Sequence, residues 1–221
     1  MNQPKERPIL FSAPMVRAIL EGRKTVTRRE VKKRAALDCL AAGFEPAFLA
    51  LPGNSDLCPF GQPGDRLWVR ETTEADHDTS DAVVLSRYAV DKEPVLYSGC
   101  EDPEYAGTVA HWDYPRRSRP SIHMHRWASR ILLEITGVRV ERLNAGEGET
   151  AFENRYVAEG IHRIHHGDGE HYYHPFKSKP GPGNWIDPFD AWRELWVSIN
   201  GAESWNSNPW VWVVEFKQVA P

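Results

Sequence analysis

The sequence predicts an α+β fold, because strand-like and helix-like segments both occur along the chain. Apolar and polar residues alternate or nearly alternate through residues 131–136 and 138–143, which is the period of half-buried strands, and Gly137 between them predicts a bulge or bend. Residues 210–216 are rich in aromatic and β-branched side chains and predict a closing strand. A stripe of apolar residues at helical spacing predicts a helix over residues 188–200. We therefore expect a small sheet or barrel with helices between its strands.

The N-terminal part of the chain contains one predicted helix and one predicted strand. Ser12 is placed to cap a short helix, and Gly22 is suited to end it. Pro63 and Gly64 have the residue types of a type II turn, and residues 66–70 follow that turn as a strand.

Two helices are predicted in the C-terminal part. The first covers residues 149–159 and ends at Gly160. The second covers residues 188–200, where Asp187 is the expected N-cap and Gly201 the expected terminator.

Three stretches show no sustained periodicity and are interpreted as insertions in a single domain of residues 1–221. Residues 35–57 are predicted to be mostly loop. Residues 75–115 are predicted to be loop-rich, with one strand-like run near residues 82–90. Residues 162–185 are rich in His, Gly and Pro and are predicted to form a surface loop.

The composition of the 221 residues is typical of a folded protein and excludes several classes. No apolar run approaches the ~20 residues that a membrane-spanning helix needs, and residues 1–8 are polar, so we expect a cytoplasmic protein without membrane contact. The odd number and wide spacing of Cys39, Cys58 and Cys100 predict free thiols. The net charge of −4 gives no global attraction to nucleic acid, so any such binding needs a local patch.

A basic run over residues 23–34 contains seven Lys or Arg residues among twelve. Such a run is most often a solvated surface. It also holds Thr25 and Thr27, whose hydroxyls can contact phosphate or, beside a base, act as a nucleophile. Lys24 becomes such a base only when burial or neighbouring cations lower its pKa, and Arg23 and Arg28 are candidates for that effect.

A second basic cluster, residues 116–127, interleaves cations with imidazole and aromatic rings. This mixture suits phosphate contacts combined with base stacking. The alternative is that Met124 and Trp127 belong to the core while the arginines lie at the surface. The candidate ligand contacts are Arg70, Ser121, His123, Arg126, Trp127 and, near the C-terminus, Trp210.

Five of the nine histidines fall within residues 162–174, which raises the possibility of a zinc site. Their spacing matches no standard zinc signature, and a flexible surface loop is the preferred interpretation. We expect no metal and no cofactor.

Several longer motifs occur in a fixed order along about two thirds of the chain. They are residues 22–29 (GRKTVTRR), 58–71 (CPFGQPGDRLWVRE), 119–124 (RPSIHM), 126–131 (RWASRI), 138–143 (VRVERL), 158–161 (AEGI), 195–201 (LWVSING) and 208–216 (NPWVWVVEF). Together they resemble the phage and prophage branch of the ASCH (activating signal cointegrator homology) domain proteins.

This resemblance implies a PUA-like fold, a small β-barrel with flanking helices and a cleft for RNA or a nucleobase. Small bacterial ASCH proteins include an amidohydrolase that removes the acetyl group of N4-acetylcytidine by means of a Lys, a Thr and a Glu. The matching motifs assign those roles to Lys24, Thr27 and Glu159 in this sequence.

The implied reaction is acyl transfer, in which Thr27 attacks the amide carbonyl, Lys24 accepts its proton, and Glu159 orients the lysine or serves the leaving amine. Backbone N–H groups of residues 25–28 are candidate oxyanion donors. Two alternatives stay open: a non-catalytic reader of RNA or modified bases, and an interaction protein that uses the insertions. The expected partner is a modified nucleoside or RNA.

Overall fold

The computed structural model describes residues 4–97, 108–149 and 155–220. Over these residues the protein is α+β, with several small sheets and few helices. The predicted fold class is therefore confirmed at this level. None of the sheets found within the described residues closes into a barrel, so the predicted PUA-like barrel is not confirmed.

The elements are as follows. In chain order they are β1 (Glu6–Leu10), α1 (Ala13–Leu20), β2 (Val26–Glu30), α2 (Arg34–Ala41), α3 (Pro46–Leu49), β3 (Arg66–Arg70), β4 (Thr73–Asp76), β5 (Leu85–Tyr88), β6 (Ser118–Arg119), β7 (Leu132–Arg142), β8 (His162–His165), β9 (His171–His174), α4 (Pro188–Asn200), α5 (Ala202–Asn206) and β10 (Trp210–Val219), with short 3₁₀ turns at Pro52–Asn54, Ser121–His123 and Arg126–Ala128.

The chain forms two compact units. Unit 1 consists mainly of Ala18–Asp65 and Glu134–Lys217, and unit 2 mainly of Glu6–Arg17 and Arg66–Leu133. Each unit is thus assembled from segments that are distant in the sequence. That the whole chain is a single domain with insertions stays a prediction.

In unit 1, a sheet has the strand order β7-β10-β2, and β8 and β9 form an antiparallel hairpin. Strand β2 pairs antiparallel with β10, with Thr27 opposite Val214. Large aromatic side chains fill the core of this unit, because their burial removes the most apolar surface from water. They include Tyr156, Trp192, Trp196 and Trp212.

In unit 2, β1 pairs in parallel with β3, and a second sheet has the order β5-β4-β6. A separate apolar cluster packs among the loops of this unit. It consists of Tyr88, Val95, Ala110, Met124 and Ala128.

The segments with the clearest periodicity adopt the structures that this periodicity predicts. The predicted helices after Ser12 and Asp187 are α1 and α4, and the predicted strands are found in β3, β7 and β10. The Asp187 carboxylate accepts a hydrogen bond from the Phe189 backbone N–H at 2.8 Å, as expected of an N-cap. Strand β7 runs without interruption through Gly137, where an added Cβ would lie 2.9 Å from Oε2 of Glu215.

Two predicted loops are wrong in part. Residues 35–57 contain α2 and α3, since the sequence Arg34–Ala41 is rich in Ala and Leu, which favour helix. Residues 162–185 contain the β8–β9 hairpin, in which Ile164 and Tyr173 are buried. The Gly and Pro residues of this stretch lie in its turns, where they end the strands without preventing them.

The helix predicted over residues 149–159 is wrong where the structure describes it. Residues 150–154, including Phe152, lie outside the described residues, while 155–158 form hydrogen-bonded turns. The next residue, Glu159, is extended and forms a β-bridge with Lys24. Pairing between distant segments therefore replaces the local helix.

Cys39 is a free thiol, as predicted, and Cys100 lies outside the described residues. Within the described ranges, every helix is too short or too polar to cross a membrane.

Candidate functional site

The candidate site in unit 1 is built where the N-terminus of β2 meets the turn at residues 155–160. Lys24 and Glu159 form an antiparallel bridge although 135 positions separate them. Next to this bridge, the backbone N–H groups of Thr25 and Val26 both donate to the carbonyl of Ala158, at 3.0 and 3.2 Å. These main-chain bonds bring the two halves of the site together.

Gly160 allows this close approach. Its φ of +96° lies in the left-handed region, and a Cβ built there would lie 2.7 Å from Cβ of Ala18 and 3.2 Å from Cβ of Lys24. Only glycine fits such a position without moving its neighbours. The absence of a side chain at Gly160 therefore lets the aliphatic part of Lys24 pack against the turn.

The Lys24 side chain is buried, with only 2% of the residue exposed. Its Nζ donates to the backbone oxygens of Val26 and Glu159, at 2.8 and 3.0 Å, and to Oε2 of Glu159 at 2.7 Å. Burial lowers the pKa of the Lys24 ammonium, against the opposing effect of the Glu159 carboxylate. An amine with a lowered pKa is suited to accept a proton.

Arg28 completes a buried cluster of charges. Its Nη1 donates to Oε1 of Glu159 at 3.0 Å, and its Nε donates to Oε1 of Glu141 at 3.0 Å. The guanidinium also lies 4.6 Å from the ring centroid of Tyr156 and 5.7 Å from that of Trp192. Glu159 is thus held between two cations, and its orientation is fixed by the aromatic core through Arg28.

A cavity of about 320 Å³ adjoins this cluster within unit 1. Its lining combines hydroxyl, guanidinium, carboxylate and aromatic groups, which suits a small polar ligand. The lining residues are Thr25, Val26, Arg28, Thr136, Arg139, Arg155, Ala158, Glu215 and Phe216.

The positive charges of the cavity are paired. Arg28 pairs with Glu159 and Glu141, and Arg139 pairs with Glu141 and Glu215. Arg155 also donates to Glu141, at 3.0 Å, and pairs with Glu149. Guanidinium and carboxylate groups therefore alternate around the cavity, and it offers both donors and acceptors without a large net charge.

The predicted residues Lys24, Glu159 and Arg28 are brought together, and Thr25 lines the cavity. Thr27 lies on β2 with only 1% of the residue exposed, and it is not among the lining residues. The Lys24 ammonium is nevertheless 2.8 Å from the carbonyl oxygen of the Val26–Thr27 peptide. The lysine is therefore adjacent to the Thr27 backbone.

Two other predictions for this region have direct outcomes. Arg23 lies beside the site, pairing with Glu21 and donating to the Gly160 carbonyl. The proposal that backbone N–H groups from residue 25 onward hold an oxyanion is wrong for Thr25 and Val26. Both of these N–H groups are already bonded to Ala158.

The remaining predicted residues are divided between the units. Trp210 is in unit 1, where the Arg142 guanidinium lies 4.2 Å from its ring centroid. Arg70 is in unit 2, donates to the Ile122 carbonyl at 3.3 Å and lies over the Trp68 ring.

The second basic cluster belongs to unit 2. Ser121 and His123 form a 3₁₀ turn, and Arg126 donates to Glu6 at 2.8 Å. Met124 is a core residue, as the alternative interpretation expects, whereas Trp127 is 37% exposed and does not belong to the core.

Sequence reasoning missed several charged residues of the site. Arg139 and Glu141 occupy alternate positions of β7, so they share one face of that strand. The sequence alone could have indicated this, because charged residues two positions apart on a predicted strand lie on the same face. Arg155 and Glu215 carried no comparable local signal.

No protein-family model, curated protein or solved structure matches the chain. Among the residues that the structure describes, no three His, Cys, Asp or Glu side chains are grouped as metal ligands. The resemblance to ASCH domain proteins accordingly stays a prediction made from motifs.

Proposed function

We propose that the protein is an amidohydrolase that acts on N4-acylated cytidine-type nucleosides, with Lys24, Thr27 and Glu159 as its catalytic residues. The observation that carries the proposal is the buried Lys24–Glu159 pair, 2.7 Å apart and next to the Thr27 peptide. Burial lowers the pKa of Lys24, and this is the direction that a general base requires. The motif resemblance to ASCH proteins, with their PUA-like fold, supports the same assignment.

The proposed reaction has two steps. In the first, neutral Lys24 takes the proton of the Thr27 hydroxyl, whose oxygen bonds to the acyl carbon, and the C–N bond breaks as Lys24 returns a proton to the leaving amine. In the second, Lys24 takes a proton from water, whose oxygen bonds to the acyl carbon. The ester bond to Thr27 breaks, the proton passes from Lys24 to the Thr27 oxygen, and the carboxylic acid is released. Glu159 keeps the lysine oriented throughout.

The cavity favours an uncharged substrate. Its volume of about 320 Å³ is at the small end of ligand sites, which span roughly 300–1,000 Å³. Each of its three arginines is already paired with glutamates, so a phosphate gains little there. A nucleobase presents both donors and acceptors, and these complement the alternating charges of the lining.

The test is hydrolysis of N4-acetylcytidine by the purified protein, followed by chromatographic detection of cytidine. Thr27→Val removes the hydroxyl while keeping the side-chain shape, and Thr27→Ser retains a hydroxyl. Turnover that is lost in Thr27→Val, lost in Lys24→Met and retained in Thr27→Ser supports the proposal. Full activity in folded Thr27→Val contradicts it. Lys32→Met, at an exposed position of the same basic run, is the control that keeps activity.

A second candidate function is a reader that binds a modified base in the same cavity without reacting. The observation that favours it is that Thr27 is almost fully buried and does not line the cavity, whereas Thr25, Arg139 and Glu215 do. A reader keeps its affinity for the nucleoside in Thr27→Val and loses affinity in Glu215→Gln. Isothermal titration of both variants with N4-acetylcytidine separates the two functions.

A further inference from the structure

Unit 2 carries two groups of neighbouring rings that the proposed hydrolase does not use. In the first, Trp112 and Tyr114 are edge to face, with ring centroids 6.1 Å apart and an interplanar angle of 75°, and His123 stacks on Tyr114 at 6.1 Å. In the second, Tyr97 stacks on Trp127 at 5.1 Å with an interplanar angle of 23°. His125 is also nearly parallel to Trp127, at 6.3 Å and 10°.

These rings lie at the protein surface. Tyr97 and Trp127 are 45% and 37% exposed, values that are high for large aromatic side chains. The two groups are joined through the segment His123–Met124–His125. Met124 is extended and its side chain is buried, so the two flanking histidines point away from the core together. The six rings therefore belong to one surface, which we call the aromatic surface.

The first group of rings is held in place by a cation. The buried Arg119 guanidinium lies 5.4 Å from the Trp112 ring centroid and 5.1 Å from that of Tyr114, and it pairs with Asp113. The Trp112 indole N–H also donates to the Arg116 carbonyl at 3.0 Å. Rings that are fixed in this way lose little conformational entropy when a planar ligand stacks on them.

Two arginines lie beside the first group of rings. A cavity of about 380 Å³ in unit 2 is lined by Trp112 and Tyr114 together with the exposed Arg116 and Arg117. Neither of these two guanidiniums forms an ion pair with any other residue that the structure describes. Two such cations beside partly exposed rings match a ligand that has planar groups on an anionic backbone.

We propose that the aromatic surface of unit 2 binds single-stranded nucleic acid, with bases stacked on the exposed rings and phosphates contacted by Arg116 and Arg117. Single strands expose the faces of their bases, whereas duplexes hide them within the helix. The site is independent of the proposed nucleoside cavity in unit 1, and neither function requires the other. RNA and single-stranded DNA share the chemistry that is recognised here.

The test is fluorescence anisotropy of the full-length Thr27→Val protein with labelled oligomers of about 12 nucleotides. The set comprises single-stranded RNA, single-stranded DNA, the DNA duplex and an abasic single strand that keeps the phosphates but lacks bases. Preference for the single strands with bases supports the proposal, and comparison of RNA with DNA identifies the source. Equal or tighter binding of the duplex or of the abasic strand overturns it, as does the absence of binding to all four.

Matched variants locate the contact. Trp127→Ala should weaken binding by about 5- to 150-fold, the range for losing one stacked base, whereas Trp127→Phe should retain most of the affinity. Phe44→Ala removes a comparably exposed ring from unit 1 and should leave the affinity unchanged. Unchanged affinity in folded Trp127→Ala contradicts stacking on that ring.

The phosphate contacts are tested by salt. Two contacts to a single strand predict a slope of about −1.4 for the logarithm of the binding constant against the logarithm of the salt concentration. The double variant Arg116→Glu, Arg117→Glu should abolish this slope and weaken binding, while Arg34→Glu, at an exposed site of unit 1, should change neither. An unchanged slope in the double variant contradicts the phosphate contacts.

Discussion

Glu159 is an acidic group that Lys24 and Arg28 share, and its own side chain is almost fully buried. A buried ion pair gains little over an apolar pair of the same shape, because both charges lose their hydration on folding. Removing one partner is a different matter, since the remaining charges stay buried without compensation. The stability of unit 1 should therefore depend strongly on this carboxylate.

Glu159→Gln should lower the free energy of unfolding by about 3–5 kcal/mol, because it leaves two buried cations with one carboxylate fewer. Glu30→Gln is the matched control on β2, where the carboxylate is exposed and 3.7 Å from Lys32, and it should change stability by about 0.5 kcal/mol or less. Urea unfolding followed by circular dichroism measures both values. Similar losses of unfolding free energy in the two variants would show that removing the buried carboxylate costs no more than removing an exposed one.

Lys24 should make stability depend on pH with a definite sign. Burial holds the pKa of Lys24 below its ordinary value in the folded protein, so the unfolded chain binds more protons between the two values. Stability contributed by this group therefore rises with pH across that window, by up to about 1.4 kcal/mol per pH unit. The unfolding free energies of wild type and Lys24→Met should diverge in favour of wild type as the pH rises from the lowered pKa of Lys24 towards its ordinary value. A constant or shrinking difference contradicts the lowered pKa.

Lys24 and Glu159 lie in segments that connect regular elements, so their positions depend on where those elements begin and end. The segment from Ala18 to Lys24 and the turn at residues 155–160 bring Lys24 and Glu159 to one bridge, and the contact between the two segments requires a residue without a Cβ at Gly160. Helix α4 supplies Trp192, which packs behind Tyr156 with ring centroids 5.5 Å apart. Substitutions at the ends of these elements should therefore change the positions of the Lys24 and Glu159 side chains.

Gly160→Ala should destabilise the protein more than Gly183→Ala. Both positions have positive φ, +96° and +84°, so both substitutions carry the left-handed strain of about 1–2 kcal/mol. Only at Gly160 does the added Cβ also collide with Ala18 and Lys24, whereas Gly183 has open space. Thermal unfolding of the two variants isolates the steric part, and equal melting temperatures would contradict the close packing at Lys24.

Asp187 should stabilise α4 as its N-cap. Asp187→Ala removes the acceptor of the Phe189 N–H and is expected to cost about 1 kcal/mol. Asp187→Asn and Asp187→Ser keep an acceptor and should cost much less. Urea unfolding of the three variants ranks them, and a cost for Asn or Ser as large as that for Ala would exclude capping as the cause.

The longest regular elements, α4, β7 and β10, follow from local pattern, whereas the site does not. The apolar stripe of α4 and the alternation of β7 are local signals, and both elements form as predicted. The turn at 155–158 could not be predicted, because the backbone of Glu159 pairs with Lys24 across 135 positions instead of continuing a helix. Local propensity is a weak guide where such pairing competes with it.

The same distinction holds for the predicted site residues. Lys24 and Glu159 were paired by motif resemblance, and the structure places them in contact. Arg155 and Glu215 join the same cavity from separate segments, which no spacing within the sequence could reveal. Binding surfaces assembled from β-strand neighbours depend on register, and register is a property of the folded sheet.

Salt should affect folding and the proposed nucleic-acid binding differently. The ion pairs of the unit 1 cluster are shielded from solvent, while pairs such as Arg34–Asp38 are exposed and contribute little. Raising NaCl from about 0.05 to about 0.5 M should therefore change the unfolding free energy by about 1 kcal/mol or less. Oligonucleotide affinity should fall over the same range. A parallel loss of both would indicate that surface charge maintains the fold.

The order of segments in the two units has a consequence for synthesis on the ribosome. Apart from Gln218–Pro221, unit 2 is complete once Leu133 has been made, whereas unit 1 still lacks everything from Glu134 onward. Lys24 and Arg28 emerge 135 and 131 positions before their common carboxylate, a delay of about 7–27 s at ~5–20 residues per second. During that interval Lys24 and Arg28 lack the carboxylate that they share in the folded protein, and β2 still lacks its partner strand β10, which is made later than Glu159.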